Sequence, residues 1–188
     1  MHMKNIPFDA ELFSATTYGR NQPRPNDVPL AEDFLVKAGE GASVGVVTND
    51  EVPLIFACKG LIGAAKISGS TALDESFSKN LHAAIVQYGL NPTDIEVYMG
   101  PSLTFSHTLV HRELIEKLMN SGYRAACKRT DGLDFLDVPV LVLVQCRKLG
   151  ILMEHIHISD YDTYENPEFL CSSLRGDNDK NLTVATLK

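Results

Sequence analysis

Apolar and polar positions change period several times along this chain. Val44, Val46 and Val47 open a β-like stretch at residue 43. Two apolar runs follow, Val52–Cys58 and Leu61–Ile67, separated by Lys59-Gly60. They read as a hairpin with buried faces. Leu73, Phe77, Leu81, Ile85 and Val86 then recur at helical spacing, with Glu75 near the positive end of the predicted helix and Gly89 stopping it. Residues 95–99 form another short apolar run. It breaks at Gly100-Pro101-Ser102, and Leu109, Val110, Leu114, Ile115 and Leu118 restore helical spacing. A strand, a tight turn and a helix are the simplest reading. Gly100 admits a sharp bend and Pro101 fixes φ after it, and turns at strand ends are where such chains tend to place their sites.

The remaining stretches are less periodic. Residues 1–30 are polar and punctuated, and 21–27 read as turn or extended chain. Residues 31–38 suit a short helix ended by Gly39 and Gly41, and 123–128 a strand. Residues 133–149 point two ways. Val138, Val140, Val142 and Val144 favour a strand, whereas Asp137 as N-cap, Pro139 just inside and Gly150 just past the end favour a helix. Residues 151–158 alternate, with Met153, His155 and His157 on one face, and 182–187 form a short apolar strand. The sum is a single α/β domain with mixed sheets.

Composition narrows the function. The chain has 188 residues, 44% of them hydrophobic and 22% charged, which fits a soluble domain with a sizeable core. A net charge of −7 disfavours nucleic acid and anionic membrane as partners. No apolar run has the ~20 residues of a membrane span. The first residues lack a basic region followed by an apolar one, so no secretory leader is expected. Cys58, Cys127, Cys146 and Cys171 are widely spaced without a CxxC pair, as reduced thiols of a cytoplasmic protein would be.

Four groups of residues carry candidate chemistry. His107 and His111 lie four apart on the predicted helix and share a face, a spacing that holds a divalent metal given a third ligand and otherwise marks a solvated face. His155 and His157 lie on one strand face and could join them. Asp50 and Glu51 sit between two strands with Lys66 at the far end of the hairpin. They make either an acid–base pair or an exposed ion pair. Arg175 offers a planar fork for an anion, or is a loop arginine.

In order, several of these pieces resemble the laccase-domain proteins, also called the YfiH-like or purine nucleoside phosphorylase-like family. Thr48-Asn49-Asp50-Glu51-Val52-Pro53-Leu54 is similar to the family's T-A-D-C-V-P-[VIL]. Gly100-Pro101-Ser102-Leu103 is similar to its G-P-[SA]-I. Thr163-Tyr164, Asn166-Pro167-Glu168-Phe169 and Arg175 resemble its C-T-x-x-[DN]-P-x-x-F-[FY]-S-[YF]-R-R. The resemblance runs from about residue 43 to 188 and leaves 1–42 as a variable N-terminal segment packed on the same compact unit. It implies a layered α/β/β/α sandwich with mixed sheets, a helix over 136–150, and purine nucleoside phosphorolysis or deamination. It also implies a zinc held by a Q-V-H-G histidine, the T-A-D-C cysteine and an H-A-G-W-R-G histidine. Here Glu51 stands for that cysteine and Lys66 for the last histidine. No Q-V-H-G precedes residue 43, and Leu174 replaces one of the paired arginines.

The expectation is therefore a divergent member without the family zinc. It would keep the fold as a module binding a small molecule, such as a purine nucleoside, or a protein. No cofactor is expected, zinc or copper only if His107, His111, His155 and His157 build a site elsewhere. The alternative is a live phosphorylase- or deaminase-like enzyme, with Asp50, Glu51, Lys66 and Arg175 catalytic and Gly100, Pro101 and Ser102 holding substrate.

Overall fold

The computed structural model describes residues 5–188. In chain order it contains β1 (Ile6–Asp9), β2 (Phe13–Tyr18), β3 (Leu30–Ala31), β4 (Phe34–Ala38), β5 (Ser43–Thr48), β6 (Val52–Cys58), β7 (Leu61–Ile67), α1 (Gly69–Leu73) and α2 (Ser76–Tyr88). There follow β8 (Glu96–Met99), β9 (Leu109–Val110), α3 (Arg112–Asn120), β10 (Cys127–Thr130), β11 (Leu133–Leu136), α4 (Val138–Lys148), β12 (Ile156–Ile158) and β13 (Asn181–Leu187). One five-stranded sheet has the order β1-β2-β13-β5-β3 and another β12-β8-β6-β7-β4, with a small third sheet β10-β11-β9. Both larger sheets mix parallel and antiparallel pairs.

The alternation of strand side chains sorts the core into two layers. On β6 and β7, Ile55, Ala57, Ile62 and Ala64 join Phe13, Val44, Val46 and Ala185 between the two large sheets. Leu54, Phe56, Ala65 and Ile67 point the other way, onto Phe77 and Leu81 of α2, Leu118 of α3 and Leu141 and Val142 of α4. Every residue of β6 is buried, as a strand covered on both faces requires. Gly63, opposite Phe56 in the β6–β7 register, leaves room for that ring: a Cβ there would lie 2.2 Å from it. Phe34 of β4 stacks on Phe56 with ring centroids 5.5 Å apart.

Several sequence expectations change. Residues 31–38 are not a helix: they form β3 and β4, because Phe34, Leu35 and Val36 pair with Ala65, Ala64 and Gly63 of β7. Residues 6–18, read as punctuated chain, hold β1 and β2. Buried Phe13, Ala15 and Thr17 alternate there, a period masked by threonines and serine. The segment 1–42 is thus woven into both sheets, three strands in the first and one in the second. The helix over 73–86 is broken in two, since Glu75 adopts φ +61° between α1 and α2. Leu109 and Val110 belong to β9, paired with β11, and α3 begins at Arg112. The strand reading of Val138, Val140, Val142 and Val144 is overturned: all four lie in α4, where the Asp137 carboxylate caps the helix by accepting from the Val140 N–H at 3.2 Å, and only Leu133–Leu136, ahead of them, form a strand, β11. Among the described residues no helix is long and apolar enough to cross a membrane.

Candidate functional site

The family-like motifs converge where the β5–β6 turn meets the loop before β13. Asp50 is the knot. Its Oδ1 accepts from the Thr163 hydroxyl at 2.8 Å, and its Oδ2 accepts from the Ser173 N–H at 2.8 Å and the Leu174 N–H at 3.3 Å. The Ser173 hydroxyl donates to the same oxygen. Asp162 performs the matching task one loop away. It accepts from the N–H groups of Tyr164 (2.6 Å), Glu165 (3.0 Å) and Thr104 (2.7 Å). Burial opposes its ionisation, but these bonds prevail and hold its carboxyl below the ordinary range. Asn181, fully buried at the start of β13, ties the same region together by donating to the carbonyls of Asn49 (3.0 Å) and Cys171 (2.8 Å).

Arg175 is spent on this loop rather than held out for an anion. Its guanidinium donates to the carbonyls of Thr163, Tyr164 and Leu170 and to the Asp177 carboxylate. Asp177 also accepts from the Ser172 N–H and pairs with Arg20. The Ser172 N–H, helped by Arg20 and Arg175, outweighs burial and holds the Asp177 carboxyl down at about 2. Gly100, Pro101 and Ser102 are buried. Gly100 fits tightly: a Cβ would meet Pro53 at 3.0 Å and the Thr17 and Thr183 hydroxyls at 3.5 Å. Ser102 bridges to Asp162, and its carbonyl accepts from the Thr163 N–H at 3.1 Å. The turn thus braces the site from below.

Glu51 and Lys66 do come together. Glu51 Oε2 accepts from the Asn49 N–H at 2.8 Å, and Oε1 stands 3.7 Å from Lys66 Nζ, with side chains 29% and 33% exposed. The pair is half-open, not buried. Glu51 and Asp50 border a cavity of about 160 Å³ whose apolar wall is Val52, Ile67, Leu103 and Val138. Lys66 borders a neighbouring one of about 350 Å³ with Asp33, Thr71, Ser76, Phe77, Lys79 and Asn80.

The four histidines do not share a helix face or a strand face. His107 lies in a 3₁₀ turn, packs against the Tyr164 ring at a tilt of 46° with centroids 4.5 Å apart, and contacts Glu165 at 2.7 Å. His111 is the N-cap of α3. His155 ends a second 3₁₀ turn, while His157 in β12 lies 3.8 Å from Glu96 and against the Phe8 ring. Among the described residues no group of three or more His, Cys, Asp and Glu side chains is arranged to hold a metal ion. Burial raises the pKa of all four cysteine thiols, that of Cys146 to about 12, which disfavours thiolate chemistry.

Asp162, Ser173 and Lys79 escaped the sequence reading. Asp162-Thr163-Tyr164-Glu165 was legible in principle, since an aspartate whose carboxylate takes the next N–H groups is a common turn device. Lys79 carries no local signal.

With this geometry in view, the likeness to known proteins is specific. The family model described as multi-copper polyphenol oxidoreductase laccase matches residues 10–183, so the chain belongs to that family. The match begins well before residue 43 and takes in most of the N-terminal segment. No curated protein matches. The fold is similar to that of the hypothetical protein YfiH of Bacillus licheniformis, with TM-score 0.72, 18% identity, and coverage of 91% of this chain and 74% of that one. YlmD from Geobacillus stearothermophilus gives TM-score 0.71 and 19% identity over 83% of this chain and 61% of its own. The Neisseria meningitidis protein NMB0706 gives 0.72 and 12% over 98% and 99%.

Proposed function

We propose that this family member binds a small molecule beside an ion pair that has replaced the zinc implied by the resemblance, and that it does not carry out zinc-dependent nucleoside chemistry. The observation that carries the reading is the Glu51–Lys66 contact at 3.7 Å, with Glu51 on the wall of one cavity and Lys66 on the wall of another. The donor set does not fit zinc. Structural and catalytic zinc sites draw on cysteine, histidine and carboxylate, at least three together. A lysine ammonium has no lone pair to give. Glu51 is one carboxylate whose second oxygen is already taken by the Asn49 N–H. Asp50, the adjacent carboxylate, is engaged by Thr163, Ser173 and Leu174.

The test combines metal analysis with turnover. Untagged protein should carry well under one zinc or copper per chain. Mass spectrometry should find no free base or deaminated product from adenosine, inosine or methylthioadenosine with phosphate, beyond a Glu51→Gln/Lys66→Met double variant. One metal per chain would overturn the ion-pair reading. Product above the double variant would instead establish an enzyme whose site was rebuilt on these residues.

A further inference from the structure

The break between α1 and α2 runs against a clear sequence period. Leu73, Phe77 and Leu81 are spaced for one helix, yet Glu75 between them takes φ +61° and ψ 23°. That left-handed conformation is costly for a residue with a Cβ. The break is held from outside. The Tyr123 hydroxyl donates to the Glu75 carboxylate. Tyr123 is buried, with the Lys148 ammonium 3.5 Å from the centre of its ring. Burial first, then Glu75, push its phenol up to about 12, so it remains a donor. Gln145 of α4 supplies a second bond, donating from Nε2 to the Ala72 carbonyl at 2.6 Å. Gln145 is 1% exposed, and its Oε1 is buried without a hydrogen-bond partner among the described residues, a second cost of the arrangement.

These two bonds hold a wall in place. Ser68 and Gly69, at the entry to α1, border the cavity of about 160 Å³ beside Glu51, and Thr71 borders the one beside Lys66. α1 itself has five residues, closed by the Ser68–Thr71 capping box and by Ala72 in the core. A helix that short does not persist without tertiary support. Tyr123 and Gln145 border neither cavity, so the support for this wall comes from outside the site.

We propose that Ser68 and α1 form a gate on the Glu51 cavity, latched shut by Tyr123 through Glu75 and by Gln145 through Ala72. Opening exchanges the two bonds for water, hydrates Gln145 Oε1 and relieves the left-handed Glu75. It uncovers Val52 and Ile67, both buried, on the apolar wall of that cavity. The inference rests on the reading above for the site and deepens it by naming what admits a ligand there.

The test is amide hydrogen exchange of the full chain, read at the N–H groups of Ala72, Asp74 and Glu75, which bond to the carbonyls of Ser68, Ser70 and Ala72. Tyr123→Phe should speed exchange there about tenfold or more, as loss of a hydrogen bond to a charged group does, and leave β6 and β7 unchanged. Glu75→Gln keeps the side-chain length and weakens the acceptor. It should act in the same direction by less, and it carries the test if the phenylalanine variant fails to fold. Hydroxyl-radical labelling of Val52 and Ile67 should rise in step, while that of Phe13, in the layer between the two large sheets, stays constant. Exchange at 72–75 unmoved in a variant that circular dichroism shows to be folded would overturn the latch. Faster exchange spread equally over β6 and β7 would mean general loosening, and faster exchange without labelling of Val52 and Ile67 a loose helix that covers nothing. Either result overturns the gate. None of these readouts needs a ligand or a metal. Zinc found on the chain would therefore sink the ion-pair reading and leave the exchange result standing, and a failed gate would leave the ion pair untouched.

Discussion

Asp50 and Glu51 are neighbours in sequence but differ sharply in setting. Asp50 accepts from Thr163, Ser173 and Leu174 and closes the loop before β13 onto the β5–β6 turn. Glu51 accepts one N–H and faces a lysine at 3.7 Å across a surface still about a third exposed. One carboxylate has its acceptor capacity filled by the protein; the other keeps capacity in reserve. Saturated polar groups specify a fold, and unsaturated ones beside a cavity are what a ligand meets. The contrast extends to the cations: Arg175 is consumed by loop carbonyls, whereas Lys66 is not.

The contrast is most exposed at Asp50. Asp50→Ala leaves the Ser173 and Leu174 N–H groups and the Thr163 hydroxyl without their acceptor, and should cost about 2–4 kcal/mol in urea unfolding. A loss under 1 kcal/mol would mean water replaces the knot freely. Arg175→Ala should cost about 2–3 kcal/mol by the same measurement, and Arg175→Lys should recover little, because an ammonium cannot reproduce the fork that reaches several carbonyls.

A pH titration sharpens the picture further. The Asp177 carboxyl is held down at about 2, below its unfolded value near 3.8. Its contribution is therefore complete above about pH 4 and is lost as pH falls through 2, where the unfolded chain binds the proton first. Acid unfolding of Asp177→Asn should show a shallower slope between those limits; an unchanged slope would detach Asp177 from the loop's acid sensitivity. The smallest effect belongs to the reserve pair. A buried version of Glu51–Lys66 would lose about 3–5 kcal/mol on Lys66→Ala, but a pair this open and long should lose under about 1 kcal/mol. A larger loss in chemical denaturation would erase the distinction between the two carboxylates.

Much of the second sheet was legible. β6, β7 and the α4 caps follow from apolar runs and from Asp137, Pro139 and Gly150, because local sequence dictates them. β1 to β4 were not, since their pairing partners lie far along the chain and Phe34–Val36 becomes a strand only against Ala65–Gly63. At the site, the motif order brought Asp50, Glu51, Lys66 and Arg175 into one region of interest. It could not say which would be saturated. That depends on Ser173, Leu174 and Leu170, whose backbone groups leave no mark in the sequence. The histidine spacing misled because the helix assumed for it starts only at Arg112.

The place of β13 bears on the order in which the molecule can assemble. Asn181–Leu187 lies between β2 and β5, pairing with both through six residues each. Until those seven residues are synthesised, β1–β2 and β5–β3 are two half-sheets with facing raw edges and nothing to join them. Threonines and valines on those edges are good strand formers, so the nascent chain carries two adhesive margins through most of its translation. The β6–β7 hairpin and its helices can mature early, while the first sheet waits for the last stretch described. A ribosome stalled shortly before residue 181 would thus hold a half-closed sandwich, a client for chaperones rather than a partly working protein.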